Sequence, residues 1–161
     1  MIFSAKCEYG IRAMLDLAMS PEEGPVGVRT IAERRNISEG FLEQIMGALR
    51  KGGLVESIRG SRGGYVLARS TEDISLADVV MAIDGPVSTG PCVPVSERKR
   101  CEQMNICVIQ DVWVDVTDCI MTVLSTMTLA SLKERQLRKD VEVPAATPAR
   151  EGDGLSCFQP G

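Results

Sequence analysis

Residues 38–68 read SEGFLEQIMGALRKGGLVESIRGSRGGYVLA. Apolar residues recur in the first half at the three-to-four spacing of a helix, and a serine stands where its N-cap is expected. A pair of glycines then supplies a C-terminal stop. The second half holds two short apolar runs around a basic, glycine-rich tip, which is typical of a β-hairpin. The expected elements are a helix from Ser38 to about Lys51 and strands at 54–58 and 65–68.

A second short helix is predicted just before this stretch. Val28, Ile31 and Ala32 fall on one face of residues 28–35, and Asn36 breaks the pattern. Two short helices joined by a tight turn form a helix-turn-helix, and a hairpin that follows them makes it a winged helix. We therefore expect a winged helix-turn-helix DNA-binding domain over residues 1–70, beginning with a helix at 4–19.

Residues 71–140 are predicted to be helical apart from one polar loop. The longest apolar pattern covers 106–127, where a three-to-four spacing holds for about six turns. A stripe of this length is typical of a coiled-coil or bundle seam, so we predict that the helix pairs with its copy in a homodimer. An intramolecular core helix is the alternative. Further helices are expected at Ser75–Ile83 and from Thr128 to about Arg138, and 141–161 is predicted to be a disordered tail.

The predicted fold class is mainly α with a small β-hairpin wing: a winged helix-turn-helix domain plus a long dimerisation helix. The chain has 161 residues, 44% of them hydrophobic, and no apolar run near the length of a membrane span. We expect a cytoplasmic protein without a membrane partner. Enzyme activity is not expected, because the sequence has no histidine to form a nucleophile-base pair and no phosphate-cradling loop.

Charge divides the chain into two unlike parts. The net charge is -4, yet residues 1–69 carry ten Lys and Arg against eight Asp and Glu, while residues 70–161 carry eight against fourteen. Only the first part has an electrostatic reason to approach DNA.

The start of a recognition helix and the tip of a wing are the places where such a fold reads DNA. The Gln44 amide can bond to adenine, and Glu43 can accept from the cytosine amino group, although Glu43 also suits a solvated helix face. Wing arginines commonly enter a narrow minor groove, and the alternative is that the wing glycines serve only the hairpin turn. The predicted DNA-binding residues are Ser38, Glu39, Phe41, Glu43, Gln44, Lys51, Arg59 and Arg62, and Arg34, Arg35 and Arg50 are further phosphate candidates.

Three cysteines, Cys92, Cys101 and Cys107, lie in the polar loop from Gly90 to about Asn105 and at its end. Eight residues separate the first pair and five the second, so neither pair has the C-x-x-C spacing of a zinc ribbon. Wide, uneven spacing favours an iron-sulfur cluster over zinc, and three unrelated thiols are the alternative. Cys7 and Cys119 lie on predicted helices and are expected to be small core residues.

Several stretches resemble the winged-helix iron-sulfur regulators of the IscR, NsrR and RirA type. They are YGIRAMLDLA at 9–18, FLEQ at 41–44 and RGSRGGY at 59–65, together with the three cysteines and Trp113. The resemblance covers residues 1 to about 138. It implies a dimeric bacterial transcription factor that binds double-stranded DNA at a pseudo-palindromic operator. It also implies a 2Fe-2S or 4Fe-4S cluster on the three cysteines that alters which operators are occupied.

The fourth ligand departs from the pattern of these relatives. A histidine follows the third cysteine by three residues in IscR-like proteins, whereas this sequence has Gln110 there. Glu8 is the first choice, because acidic residues of the first helix serve in NsrR-like relatives and reach the partner subunit's cysteines. Asp111, Cys7 and an exogenous thiol stay open, and Glu8 can also be an ordinary first-turn carboxylate.

Two other functions remain open at this point. One is a winged-helix repressor controlled by a metabolite or partner protein without a cluster, as in CymR-like relatives. The other is a zinc-binding adaptor that never contacts DNA, which the basic wing disfavours.

Overall fold

The computed structural model describes residues 3–20, 24–60, 63–90, 93 and 107–142. It confirms the predicted fold class: helices with one two-stranded antiparallel hairpin. The helices are α1 (Ala5–Met19), α2 (Val28–Arg35), α3 (Glu39–Lys51), α4 (Leu76–Ile83), α5 (Val108–Thr126) and α6 (Leu129–Glu142). The strands are β1 (Val55–Ile58) and β2 (Gly64–Leu67).

Serine side chains begin three of the helices. The hydroxyls of Ser4, Ser38 and Ser75 accept hydrogen bonds from backbone N–H groups in the first turns of α1, α3 and α4. Asp78 bonds back to the Ser75 N–H and completes a capping box. Because a cap satisfies N–H groups that the helix leaves without partners, these boundaries could be read from the sequence.

The wing consists of a two-stranded hairpin and a backbone contact from the segment before α2. Strands β1 and β2 pair with Val55 opposite Leu67 and Ile58 opposite Gly64. In addition, Val26 exchanges two backbone hydrogen bonds with Tyr65, at 3.0 and 2.9 Å. A Cβ at Gly64 would overlap the Val26 backbone, so only glycine allows this approach. The segment before α2 thus holds the wing against the helices.

One hydrophobic core lies between α1 and α3. Leu42, Ile45, Met46 and Leu49 on α3 are fully buried, and they pack with Met14 of α1. The same core also takes buried residues from beyond the predicted division at residue 70, namely Ile74, Val79 and Leu129. The division itself stays a prediction.

A buried carboxylate joins α1 to α2. Asp16 is 6% exposed, and its two oxygens lie 3.2 Å from an Arg34 nitrogen and 2.8 Å from an Arg35 nitrogen. Two arginine partners offset the desolvation of one carboxylate. These two ion pairs hold α2, the first helix of the helix-turn-helix, against α1.

Backbone hydrogen bonds hold the junction between α5 and α6 against the start of α4. The Leu76 N–H donates to the Met127 carbonyl at 2.8 Å, and the Leu129 N–H donates to the Ile74 carbonyl at 2.9 Å. Helix α6 then continues to Glu142. The predicted tail therefore began too early by two residues, because helical hydrogen bonding continued where the apolar pattern had ended. Residues 143–161 lie outside the described part.

Candidate DNA-binding surface and cluster site

The recognition helix α3 leaves one face open to solvent. Its apolar residues face the core, whereas Glu39, Gly40, Glu43, Gln44 and Lys51 are exposed. These positions recur every three to four residues, so they lie along one side of the helix. Four of the predicted DNA-binding residues therefore share one surface.

Two predicted DNA-binding residues at the start of α3 have structural roles. The Ser38 hydroxyl accepts a hydrogen bond from the Phe41 N–H at 3.4 Å. The Phe41 ring is half-buried and meets the Tyr9 ring edge to face, with 5.8 Å between centroids. The aromatic pair connects the first helix to the first turn of the recognition helix.

At the wing, Arg59 is exposed and precedes Gly60, whose φ is 128°. A side chain rarely adopts that conformation, so glycine shapes the tip. Arg62 lies outside the described residues. The proposed pairing of the two arginines in a minor groove stays a prediction.

The phosphate candidates fall into two groups. Arg34 and Arg35 share one carboxylate partner, Asp16, so half of their combined charge is balanced within the fold. Arg50 and Lys51 are exposed, and neither forms an ion pair within the part of the chain that the structure describes. The Arg50 guanidinium donates to the Ser57 hydroxyl at 3.3 Å, which ties the end of α3 to β1. Arg50 and Lys51 are therefore the stronger candidates for phosphate contacts.

The cysteine loop leaves and rejoins the described structure at one end of α5. Cys107 is the N-cap residue of α5 and is partly exposed, whereas Cys92 and Cys101 lie outside the described residues. On the other side of the loop, Gly90 packs against the Trp113 ring, and the Thr89 hydroxyl donates to the Trp113 carbonyl at 3.0 Å. Trp113 is five residues into the helix, about 8 Å along its axis. Both ends of the loop therefore lie near the N-terminus of α5.

Glu8 lies at the opposite end of α5. Its carboxylate is exposed and forms an ion pair with Arg12. Glu8 and Leu124 line the same cleft of about 400 Å³ between α1, α4 and α5. Leu124 is sixteen residues beyond Val108, which corresponds to about 24 Å along the helix axis. Within one chain, Glu8 and Cys107 therefore lie near opposite ends of α5.

The other candidate ligands have different surroundings. Cys7 lines the same cleft as Glu8 but is fully buried, and burial, with a smaller contribution from Asp84, raises the pKa of its thiol to about 11. Asp111 is exposed on the first turn of α5. The Gln110 side chain is 8% exposed, and its Oε1 atom accepts no hydrogen bond within the described structure. A buried acceptor without a partner thus lies one helical turn from Cys107.

The donor atoms suit an iron-sulfur cluster. Cysteine thiolates are its usual ligands, and a different donor can take the place of a cysteine. No group of three potential metal ligands is assembled within residues 3–20, 24–60, 63–90, 93 and 107–142.

Helix α5 carries an apolar face that no other residue of the described part of the chain covers. Ile109, Val112, Val116 and Val123 are between 39% and 62% exposed, and they lie within about 60° of one another around the axis. Thr117 and Gln110 face the opposite way and are buried. Continuous apolar surface of this kind marks an interface.

The helix-turn-helix, the open face of α3 and the hairpin define a winged-helix DNA-binding protein. The chain belongs to the Rrf2 family, because the family profile described as "Iron-dependent Transcriptional regulator" matches residues 3–135. This confirms the resemblance drawn from the sequence. It also confirms that the protein is a transcriptional regulator and not an enzyme.

Individual relatives agree with this assignment. The HTH-type transcriptional regulator IscR of Photorhabdus laumondii is 38% identical, with 88% of this chain and 84% of the relative covered. The structure of T. potens IscR matches with a TM-score of 0.69 and 36% identity, over 87% of this chain and 91% of that one. CymR, the global cysteine regulator of B. subtilis, matches with a TM-score of 0.67 and 34% identity, over 84% and 98%. None of the helices in the described residues is long and apolar enough to cross a membrane.

Proposed function

We propose that this protein is a homodimeric regulator whose affinity for its DNA operator depends on an iron-sulfur cluster shared between its subunits. The observation that carries the proposal is the placement of candidate ligands at opposite ends of α5. Glu8 lies beside Leu124, whereas the cysteine loop begins and ends near Val108 and Trp113.

Antiparallel pairing of two α5 helices would bring these ends together. The exposed apolar face runs from Ile109 to Val123, so two copies can bury it along its full length. In an antiparallel pair related by a two-fold axis, the first turn of one helix lies beside the last turn of its partner. Glu8 of one chain would then lie next to the loop carrying Cys92, Cys101 and Cys107 of the other.

These residues have distinct roles in the proposed site. The three thiolates would hold the cluster, and the Glu8 carboxylate would supply an oxygen ligand from the partner subunit. When bound, a cluster of this type supplies reactivity toward oxygen and nitric oxide and can be lost when iron is scarce. Glu8 is preferred to Cys7 because its carboxylate is exposed, whereas Cys7 is fully buried.

The first helix connects this site to the DNA-binding surface. Glu8 pairs with Arg12, and the Arg12 guanidinium lies 5.7 Å from the centre of the Tyr9 ring. Tyr9 in turn contacts Phe41 at the start of the recognition helix. If Glu8 acts as a ligand, Arg12 loses its carboxylate partner, and the contacts that hold Phe41 change with it. A small shift of each recognition helix matters, because both must fit half-sites about one DNA turn apart.

The proposal predicts that operator affinity changes when the cluster is removed. Anaerobically purified protein is titrated with an operator selected from a random DNA pool, before and after chelation of the iron. A coupling of about 1 to 3 kcal/mol corresponds to a change of roughly 5- to 150-fold in affinity. The variant with Cys92, Cys101 and Cys107 replaced by Ala is the control, and its affinity should not respond to chelation.

Equal affinities of the wild type in both states would contradict this proposal. They would favour a second candidate, a repressor controlled by a metabolite or partner protein without a cluster. The similarity to the global cysteine regulator CymR, at a TM-score of 0.67, supports keeping that candidate.

A second prediction separates base reading from phosphate binding on α3. Gln44→Ala should relax specificity at one half-site position and weaken operator binding by about 1 to 3 kcal/mol. Lys51→Ala should weaken operator and unrelated DNA alike and reduce the salt dependence of binding. Both effects can be measured by fluorescence anisotropy at several salt concentrations. Uniform losses for both variants would show that Gln44 does not read a base.

A further inference from the structure

A cationic groove lies between the start of α1 and the second half of α3. Three cations line it: Lys6 from α1, and Arg50 and Lys51 from the last turn of α3. The groove is open and has a volume of about 650 Å³. We call it the α1–α3 groove.

The positive charge of the α1–α3 groove has no acidic counterpart, neither Asp nor Glu, among the described lining residues. Lys6, Arg50 and Lys51 form no ion pair with any residue in the part of the chain that the structure describes. Arg50 is also fixed in place by its hydrogen bond to Ser57. Three cations without carboxylate partners around one concave surface create a positive potential that favours a polyanion.

The floor of the groove permits close approach. Its lining includes the small residues Gly47, Ala48, Gly52 and Ala82, and a Cβ built on Gly47 would meet no atom within 4 Å. Small residues let a sugar-phosphate chain lie against the helix. Gln44, the proposed base reader, lines the same groove one turn earlier on α3. A DNA strand entering the groove would therefore be next to the base pair that Gln44 reads.

We propose that the α1–α3 groove binds the phosphodiester backbone of one operator strand, and that Lys6 supplies a phosphate contact from α1. The inference rests on the proposed DNA-binding function and adds α1 to the DNA interface. Lys6 is two residues before Glu8 on the same helix. One helix thus carries both a DNA contact and the proposed cluster ligand, so a displacement of α1 would act directly on a phosphate contact.

The first test is the salt dependence of DNA binding by Lys6→Ala. Each phosphate contact contributes about 0.9 to the slope of log K against log salt. Because each subunit of the dimer loses one contact, the slope should fall by about 1.8, and the variant should lose roughly twelvefold less affinity than the wild type between about 50 and 200 mM salt. The decrease should be the same for operator and unrelated DNA, and Lys6→Arg should restore the slope. Lys139→Ala, which removes an exposed lysine on α6, is the matched control and should leave the slope unchanged.

Replacing single operator phosphates by neutral methylphosphonates identifies the phosphate that Lys6 contacts. At one position per half-site, the replacement should weaken binding by the wild type but have no further effect on Lys6→Ala. Visible absorption should show the same cluster content in Lys6→Ala as in the wild type, which excludes a general disturbance of α1.

Gly47→Glu tests the floor of the groove independently of Lys6. An open helical site favours Glu over Gly, so the melting temperature should rise. DNA affinity should nevertheless fall at least tenfold, because the new carboxylate repels phosphates.

Unchanged salt slopes for Lys6→Ala, or full DNA affinity for Gly47→Glu, would overturn the groove while leaving DNA binding by the wild type intact. If the wild type bound DNA without salt dependence, the proposed function itself would fail.

Discussion

Val116→Glu is expected to convert the dimer to monomers and to abolish tight operator binding. Val116 lies at the centre of the exposed apolar face of α5, with Val112 and Val123 on either side. In a two-fold pair of α5 helices, the substitution would place two carboxylates in the middle of an apolar interface. Burying unpaired charges there costs at least about 3 kcal/mol, which raises the dimer dissociation constant more than a hundredfold. Sedimentation velocity measures the oligomeric state directly.

A matched control is available on the same helix. Ser125 is exposed and lies nine residues from Val116, half a turn away around the helix. Ser125→Glu adds the same side chain on the other face and should leave the dimer, the cluster and operator binding unchanged. A Val116→Glu protein that sediments as a dimer at the wild-type concentration would show that this face is not the interface.

The DNA-binding fold could be predicted from the sequence because its signals are local. Ser38 caps a helix with a regular apolar stripe, two glycines end it, and a glycine-rich tip separates two short apolar runs. Each of these features acts within a few residues, so spacing and turn chemistry suffice to locate α3 and the wing. The bounds of α2 and α4 followed for the same reason.

Features that depend on tertiary packing could not be read in this way. No pattern around Val26 indicates that it extends the wing, since its partner Tyr65 is far along the chain. Nor does the sequence reveal that Asp16 forms ion pairs with Arg34 and Arg35, which had been candidates for phosphate contacts.

The spacing of residues in the sequence also could not reveal how the candidate cluster site is arranged. The three cysteines and Glu8 could be named from the sequence and the family resemblance. The separation of Glu8 from Cys107 along α5 became evident only when packing placed Glu8 and Leu124 around the same cleft. A ligand set divided between two chains leaves no short-range pattern, because its members never need to be close in one sequence.

Mixed dimers provide an all-or-none test of the shared site. One subunit carries Glu8→Ala and keeps its cysteines, and the other keeps Glu8 but has Cys92, Cys101 and Cys107 replaced by Ala. If ligands come from both chains, the cysteines of the first subunit and Glu8 of the second form one complete site. If Glu8 instead serves the cysteines of its own chain, neither subunit can form a complete site.

The decisive measurement is the iron and sulfide content of these mixed dimers, purified anaerobically through a different affinity tag on each subunit. The two variant homodimers are the controls, and neither is expected to hold a cluster. The shared-site account predicts one cluster per mixed dimer, half the wild-type content, with the corresponding visible absorption. Mixed dimers without iron and sulfide would contradict it and would show that Glu8 does not serve the cysteines of the partner subunit. A cluster retained by the Glu8→Ala homodimer would also contradict it and would leave Gln110 and Asp111 as candidate oxygen donors on the cysteine-bearing chain.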